Sequence, residues 1–349
     1  MNYEAFDGVH KMYYGEFTAK SGSTTRSTFM LIVPMCSEAN AKRFFMYTLD
    51  LKNWASSTAI DLRAGKNIGQ YFSRIYNDNT FLYLLSYTTT ASQIYYLTSF
   101  PEDTTSNANN TIFTSGVNSW LAGCYSPQLD MYLFANNTGF IARMEGTKTG
   151  TLNENITCGI SVNPDCAEWV PSGWFVVAGP DGTALSNTGA ADTWVTYPDA
   201  PHNLKDMTWR EDFRDGACLF AWREEDRKFY ASADGIDWRV AGYLPTTEQI
   251  TTIAAVDYNP DLKWYCAIGG TSNYAYFSKD LVHWTETTVT KPMPIPMGSV
   301  IWMPSTKKYV LMPTSGSYYY TFSPEDWEGA VEDTSDDTGD EDTGDDTDN

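Results

Sequence analysis

The segment "SADGIDW", residues 232–238, and its near-copies constrain this chain more than any other feature. "TLDLKNW" runs from Thr48 to Trp54, "SKDLVHW" from Ser278 to Trp284 and "TFSPEDW" from Thr321 to Trp327. In all four, Trp follows a Ser or Thr by six residues. In three, an Asp (Asp50, Asp234 or Asp280) stands two residues after the hydroxyl. A looser copy, "SNTGAADTW", runs from Ser186 to Trp194 with two residues inserted. The openings at 186, 232 and 278 are 46 residues apart, and the next follows after 43. Three such intervals separate 48 from 186. Degenerate copies are therefore expected near 94 and 140, and strand patterns lie close to both, putting the turns near 98 ("QIYYLTSFPED", with Thr98) and near 142 ("GFIARMEG", around Ala142). A fixed period of this length marks a repeat architecture.

The stretches before the turns also repeat. "TIAAVDY", "NPDLK", "WYCAIG", "GTSN", "YAYFS" and "DLVHW" have the same order as "SVIWM", "PSTKK", "YVLMP", "TSGS" and "YYYTF". Short β-branched and aromatic runs between Gly, Pro, Asn, Ser and Asp clusters read as antiparallel strands. The aromatic content of 15%, with 23 Tyr and 12 Trp, agrees with strands. Four strands per unit and seven units, with turns near 48, 98, 142, 186, 232, 278 and 321, predict an all-β fold. It is a single seven-bladed β-propeller with four-stranded antiparallel blades over residues 1–330. Such blades bury both faces only by stacking radially.

The repeated turn has its own chemistry. The Ser or Thr hydroxyl and the Asp carboxylate can accept backbone N–H groups, as in ST- and Asx-turns. The residue before Trp is Asn53, Asp237, His283 or Asp326, types that tolerate left-handed backbone, so positive φ is expected there. Trp then opens the outer strand and its ring covers the turn. These segments resemble the Asp-box turns of sialidase-like, BNR-type propellers, whose usual pattern is Ser-x-Asp-x-Gly-x-Thr-Trp. Here the spacing to Trp is one residue shorter, and among the four close copies only 232–238 carries Gly. The resemblance implies a propeller and is neutral on activity, because such turns occur in enzymes and in binding proteins.

Charge and motifs narrow the function. The net charge is −21, and residues 332–349 hold ten acidic residues and no Lys or Arg. That Asp/Thr/Gly segment, within 331–349, is expected to be a disordered, solvated tail. The remaining −11 argues against a nucleic-acid backbone as partner. No run approaches the roughly 18 apolar residues of a membrane span. The N-terminus lacks a basic segment followed by an apolar one, so a secretory signal is not expected. Cys36, Cys124, Cys158, Cys166, Cys218 and Cys266 form no C-x-x-C and read as buried, reduced thiols. His10, His202 and His283 have no His or Cys at metal spacing, so neither a metal nor a cofactor is expected.

Sialidase-like catalysis would need three converging arginines. The nearest local match to the family's Arg-Ile-Pro is "SRIYND", in which Tyr76 stands for Pro. Asp257 and Asp261 in "VDYNPDLK" read as turn residues between strands. The aromatic candidates for ligand stacking are Trp120, Trp209 and Trp302, on or beside inner strands. Packing between blades is their alternative role. The sequence points to a non-enzymatic binding or structural propeller. Its expected setting is a phage virion, as a tail-fibre, adhesin or capsid-decorating component, or the producing cell's cytoplasm before lysis. Its partners would be other virion proteins or a cell-surface glycan. A glycoside hydrolase on the same scaffold and an intracellular protein-interaction platform are the alternatives.

Overall fold

The short apolar and aromatic runs do form strands, and the polar clusters between them turn the chain. A computed structural model describes residues 12–21, 23–37, 42–56, 60–61, 81–85, 92–97, 111–115, 120–145, 152–213, 216–245, 252–269, 275–287, 297–313 and 319–323. These residues make seven antiparallel sheets.

Sheet 1 contains β1 (Tyr13–Ser21), β2 (Thr24–Ser37), β3 (Lys42–Thr48) and β4 (Trp54–Ser56), with β5 (Ile60–Asp61) pairing β3. Sheet 2 contains β6 (Phe81–Leu85), β7 (Ser92–Leu97) and β8 (Thr111–Ser115). Sheet 3 contains β9 (Trp120–Ser126), β10 (Met131–Asn136), β11 (Phe140–Glu145) and β12 (Leu152–Thr157). Sheet 4 contains β13 (Cys166–Val170), β14 (Trp174–Gly179), β15 (Gly182–Ser186) and β16 (Val195–Tyr197). Sheet 5 contains β17 (Lys205–Arg210), β18 (Cys218–Arg223), β19 (Lys228–Ser232) and β20 (Arg239–Tyr243). Sheet 6 contains β21 (Ile253–Asn259), β22 (Trp264–Gly269), β23 (Ala275–Ser278) and β24 (Thr285–Thr287). Sheet 7 contains β25 (Met297–Met303), β26 (Lys308–Pro313) and β27 (Tyr320–Phe322). Strands follow chain order within each sheet, so every sheet is an up-and-down meander.

The burial pattern explains how the sheets assemble. An antiparallel sheet with one wet face alternates apolar and polar residues. Here all of β10 and β15 is buried, and all of β14 after Trp174. Both faces of these sheets are therefore covered. The covers are the neighbouring sheets. Continuous apolar clusters join sheets 3 and 4 (Cys124, Leu133, Trp169, Phe175) and sheets 4 and 5 (Val176, Leu185, Leu219, Tyr230). Others join sheets 5 and 6 (Phe220, Phe229, Tyr258, Tyr265) and sheets 6 and 7 (Cys266, Phe277, Trp302, Tyr309). A further cluster joins sheet 7 back to sheet 1 (Met303, Val310, Leu31, Met46). The first strands β9, β13 and β17 lie side by side, as do β21, β25 and β1, so each sheet turns its first strand inward. Buried apolar area of this extent is the main favourable term, at about 25 cal/mol per Å².

Ala142 lies inside β11, opposite Phe134, and is not in a turn. The connection from β11 to β12 falls at 146–151, outside the described residues. Thr98, Trp327 and residues 331–349 also lie outside them.

Candidate functional site

The repeated segments join the third and fourth strands of their sheets, and their side chains hold the turn. Ser232 Oγ accepts the N–H of Gly235 at 2.8 Å, Ser278 Oγ that of Leu281 at 2.8 Å, and Thr48 Oγ1 that of Leu51 at 2.9 Å. The next two N–H groups go to the carboxylate. Asp234 Oδ1 takes Ile236 and Asp237 at 2.8 and 3.1 Å. Asp280 Oδ1 takes Val282 and His283, both at 2.8 Å. Asp50 Oδ1 takes Lys52 and Asn53 at 2.9 and 2.8 Å. In the looser copy Ser186 Oγ accepts Gly189 N–H at 2.7 Å, while Thr188 and Thr193 hydroxyls stand where the carboxylate would be.

These bonds set the acidities. The N–H groups of Asn53 and Lys52 hold Asp50 at about 2. Burial pushes Asp234 up, and the N–H groups of Ile236 and Asp237 outweigh it, leaving the carboxyl below its ordinary range. Burial likewise opposes the charge on Asp280, and the His283 ring (Nδ1 to Oδ2, 2.6 Å) with the turn N–H groups pulls it lower still.

The left-handed residue is not the one before Trp. Positive φ occurs at Leu51 (60°), Leu281 (63°), Gly235 (83°) and Gly189 (70°), three residues after each hydroxyl. Asn53, Asp237 and His283 are not among the positive-φ residues. The reason is geometric. The hydroxyl captures the third N–H and the carboxylate captures the following two, so the chain must reverse at the third residue. Leucine is a costly occupant of that conformation. Leu51 and Leu281 are buried in the seams, which offsets the strain.

Each turn faces the preceding sheet. Trp194, Trp238, Trp284 and Trp54 pack on the clusters of seams 3/4, 4/5, 5/6 and 7/1. The carbonyl of the left-handed residue is gripped from across the seam. Thr183 Oγ1 donates to Gly235 O (3.0 Å), Tyr243 N–H to Leu281 O (2.9 Å) and Tyr319 OH to Leu51 O (2.7 Å). Trp238 Nε1 donates to Gly235 O at 3.0 Å and Trp194 Nε1 to Gly189 O at 3.4 Å. Trp284 Nε1 reaches across to Tyr243 O at 2.9 Å, and Trp54 Nε1 to Tyr319 OH at 3.2 Å. In sheet 7 the register differs. Thr48, Ser186, Ser232 and Ser278 stand opposite Leu31, Phe175, Leu219 and Tyr265, whereas Phe322, not Thr321, stands opposite Tyr309.

The inner strands carry a second alignment that the sequence reading missed. Tyr14, Tyr125, Trp169, Trp209, Tyr258 and Trp302 occupy one register position, opposite Leu31, Tyr132, Phe175, Leu219, Tyr265 and Tyr309. The rings of Tyr14, Trp169, Trp209, Tyr258 and Trp302 pack on the seam clusters. Trp302 is 5% exposed and lies 4.9 Å from the Tyr309 ring, and Trp209 packs on the seam 4/5 cluster. Trp302 is thus closed in by sheet-to-sheet packing, while Trp209 is partly buried. Trp120 opens β9 opposite Asn136, and its side chain lies outside the described residues. Asp257 is likewise not a turn residue. It sits within β21, where Oδ1 accepts Arg210 Nη2 from sheet 5 at 3.1 Å and Oδ2 accepts Trp302 N–H from sheet 7 at 2.5 Å. One carboxylate thereby ties three first strands together. Burial opposes the Arg210 charge, and Asp257 more than restores it, pushing the guanidinium up. Asp261 does lie in the β21–β22 turn, its N–H bound by Asn259 Oδ1.

The opposite ends of sheets 4 and 5 frame a cleft of about 390 Å³. Its polar walls are Asn163, Asp165, Asn203, Lys205, Glu224 and Glu225. Asn163 and Asn203 have positive φ (44° and 55°), and their N–H groups bond Asn137 O and Gly179 O of the preceding sheets' hairpins. Lys205 Nζ reaches Asp165 Oδ1 at 2.6 Å, and Asn203 Nδ2 donates to Glu225 Oε1 at 3.1 Å. Among the described residues no group of three His, Cys, Asp or Glu is arranged to hold a metal ion. The cleft presents amides, carboxylates and one ammonium, suited to exchanging hydrogen bonds with a polar ligand.

No protein-family model matches the chain, and no curated protein sequence matches it. Solved structures do. A catalytically inactive virginiamycin B lyase from Staphylococcus aureus, crystallised with quinupristin, superposes with a TM-score of 0.56 at 9% identity. The match covers 87% of this chain and 96% of that one. A chain of a nidogen/laminin complex matches with a TM-score of 0.44 at 10% identity, over 71% of this chain and 94% of that one. The fold of this protein is that of the all-β propellers. Identity this low speaks to fold alone.

Proposed function

We propose that this protein is a binding and structural propeller, with residues 1–330 forming one closed seven-bladed ring on Asp-box-type turns and 331–349 a solvated acidic tail. The cleft end of the ring is its recognition face. The observation that carries this reading is the division of labour between the two ends of the sheets. At one end the hydroxyl, carboxylate and indole groups are spent on turns and seams. At the other, a cleft between sheets 4 and 5 offers amide, carboxylate and ammonium groups to a partner. The partner is a cell-surface glycan or protein and the setting a phage particle, a reading supported by the Thr-, Asn- and Tyr-rich all-β composition and the acidic tail.

The test is a glycan array and a surface-binding assay with the intact chain, run beside Lys205→Ala and Glu225→Gln. Specific binding without turnover is expected, weakened at least tenfold by either substitution, which corresponds to about 1.4 kcal/mol. Release of sugar from a bound glycan would make the protein a hydrolase. Binding unaffected by both variants would move the recognition face elsewhere.

A further inference from the structure

The aromatic position shared by the first strands is used in two ways. In sheets 1, 3 and 6 it is tyrosine, and the hydroxyl leaves from the far end of the ring. That of Tyr125 donates to Asp130 in the adjoining turn at 2.8 Å. In sheets 4, 5 and 7 it is tryptophan, whose N–H leaves from the side of the ring. Nε1 of Trp169, Trp209 and Trp302 is buried in each case, with no hydrogen-bond partner among the described residues. Asn259 adds a fourth such group. Its Oδ1 accepts the N–H groups of Asp261 and Leu262 at 2.9 and 3.2 Å, and its buried Nδ2 has no partner among the described residues. Asn259 lies on β21 and Trp302 on the neighbouring first strand β25, so two donors enter seam 6/7.

A buried donor left unmet loses its hydration with nothing in return and so destabilises the fold. The same omission at one register in three sheets would add up to a large part of a typical domain's stability. Water is the small acceptor that resolves it, since an internal water makes two to four hydrogen bonds with groups of this kind. An anion does not suit seam 6/7, where the Asp257 carboxylate is already present, bonded to the main-chain N–H of Trp302. We propose that the three tryptophan seams, 3/4, 4/5 and 6/7, each hold an ordered internal water that accepts the indole N–H. In seam 6/7 one water accepts from both Trp302 and Asn259.

The test uses the intact chain in two measurements. A crystal structure fine enough to place solvent should show a water about 2.9 Å from each of the three Nε1 atoms. Oxygen-17 relaxation dispersion, which counts long-lived internal waters, should lose about one water in Trp302→Phe and none in the control Trp174→Phe, whose ring is 38% exposed. Circular dichroism checks that both variants fold. Dry electron density at the indoles, or a protein acceptor there, overturns the proposal, as does a folded Trp302→Phe with unchanged dispersion. If that variant fails to fold, the wild-type density decides alone.

Discussion

Leu281 and Gly235 occupy the same left-handed position in successive turns, and neither could be exchanged for the other. A Cβ on Gly235 would stand 2.8 Å from Val176 Cγ2 across seam 4/5. Leu281 instead fills seam 5/6 and is fully buried. The strain of leucine at φ 63° is of order 1–3 kcal/mol, and truncating a buried leucine costs about 2–5 kcal/mol. Burial therefore holds the strained residue in place. The carboxylates of these turns have a pH signature. Asp50 sits at about 2 when folded, against about 3.9 unfolded. A carboxyl lowered by folding stabilises fully above about pH 4, and that contribution is lost as pH falls through about 2. Urea midpoints measured from pH 5 to pH 2 should decline across this window, and the decline should be shallower in Asp50→Asn. An identical slope in the variant would refute the assignment.

At the scale of elements, the seams are built from paired sizes. Gly242 on β20 lies against the turn of sheet 6, where an added Cβ would meet Leu281 O at 2.3 Å and Leu281 Cβ at 2.4 Å. The backbone oxygen makes that clash hard to relieve. Gly242→Ala should lower stability by at least about 2 kcal/mol in denaturant unfolding, and a double-mutant cycle with Leu281→Gly should show coupling above about 0.5 kcal/mol. Additive effects would mean the two residues do not meet. The elements also show how far sequence reading reaches. The hydroxyl-to-Trp spacing was legible because one local hydrogen-bond pattern sets it, and it located the third-to-fourth strand turns at 48, 186, 232 and 278. The inner-strand aromatics were less legible. Trp169, Trp209, Tyr258 and Trp302 align only through strand pairing, and the loops ahead of them vary in length. The register of Thr321 was missed because a shift of one residue leaves the spacing to Trp unchanged. Sequence reading did not find the cleft at all. Asn163, Asp165, Asn203 and Lys205 come from two loops forty residues apart, with no motif to join them.

For the whole molecule, Asp257 matters because its bonds join three sheets. It lies in sheet 6 and binds Arg210 of sheet 5 and Trp302 N–H of sheet 7. The Arg210 and Asp257 side chains are 20% and 18% exposed, so losing one partner costs less than the ~3–5 kcal/mol of a fully buried pair, whereas replacing both by apolar groups is often near neutral. Asp257→Ala should therefore unfold at much lower denaturant than Asp257→Leu combined with Arg210→Met. Equal losses in the two variants would show that the pair does not bind the three sheets together. The seams depend on such contacts, and the described cysteines Cys124, Cys158, Cys166 and Cys266 are buried thiols outside any disulfide. Seam 7/1 relies on apolar packing and on Tyr319, whose hydroxyl accepts Trp54 Nε1 and donates to Leu51 O.

The use of glycine in some turns and leucine in others at the reversing position has a consequence for how such a chain can change. Seams 4/5 and 5/6 are cut to different keys: a small turn meets Val176, a large one meets Gly242. Units so matched cannot be shuffled or duplicated one at a time, because a transplanted sheet would bring Leu281 against a valine or leave a hole beside a glycine. The order of the repeats is written into their edges, and drift at one joint must be answered across the gap before the next can move.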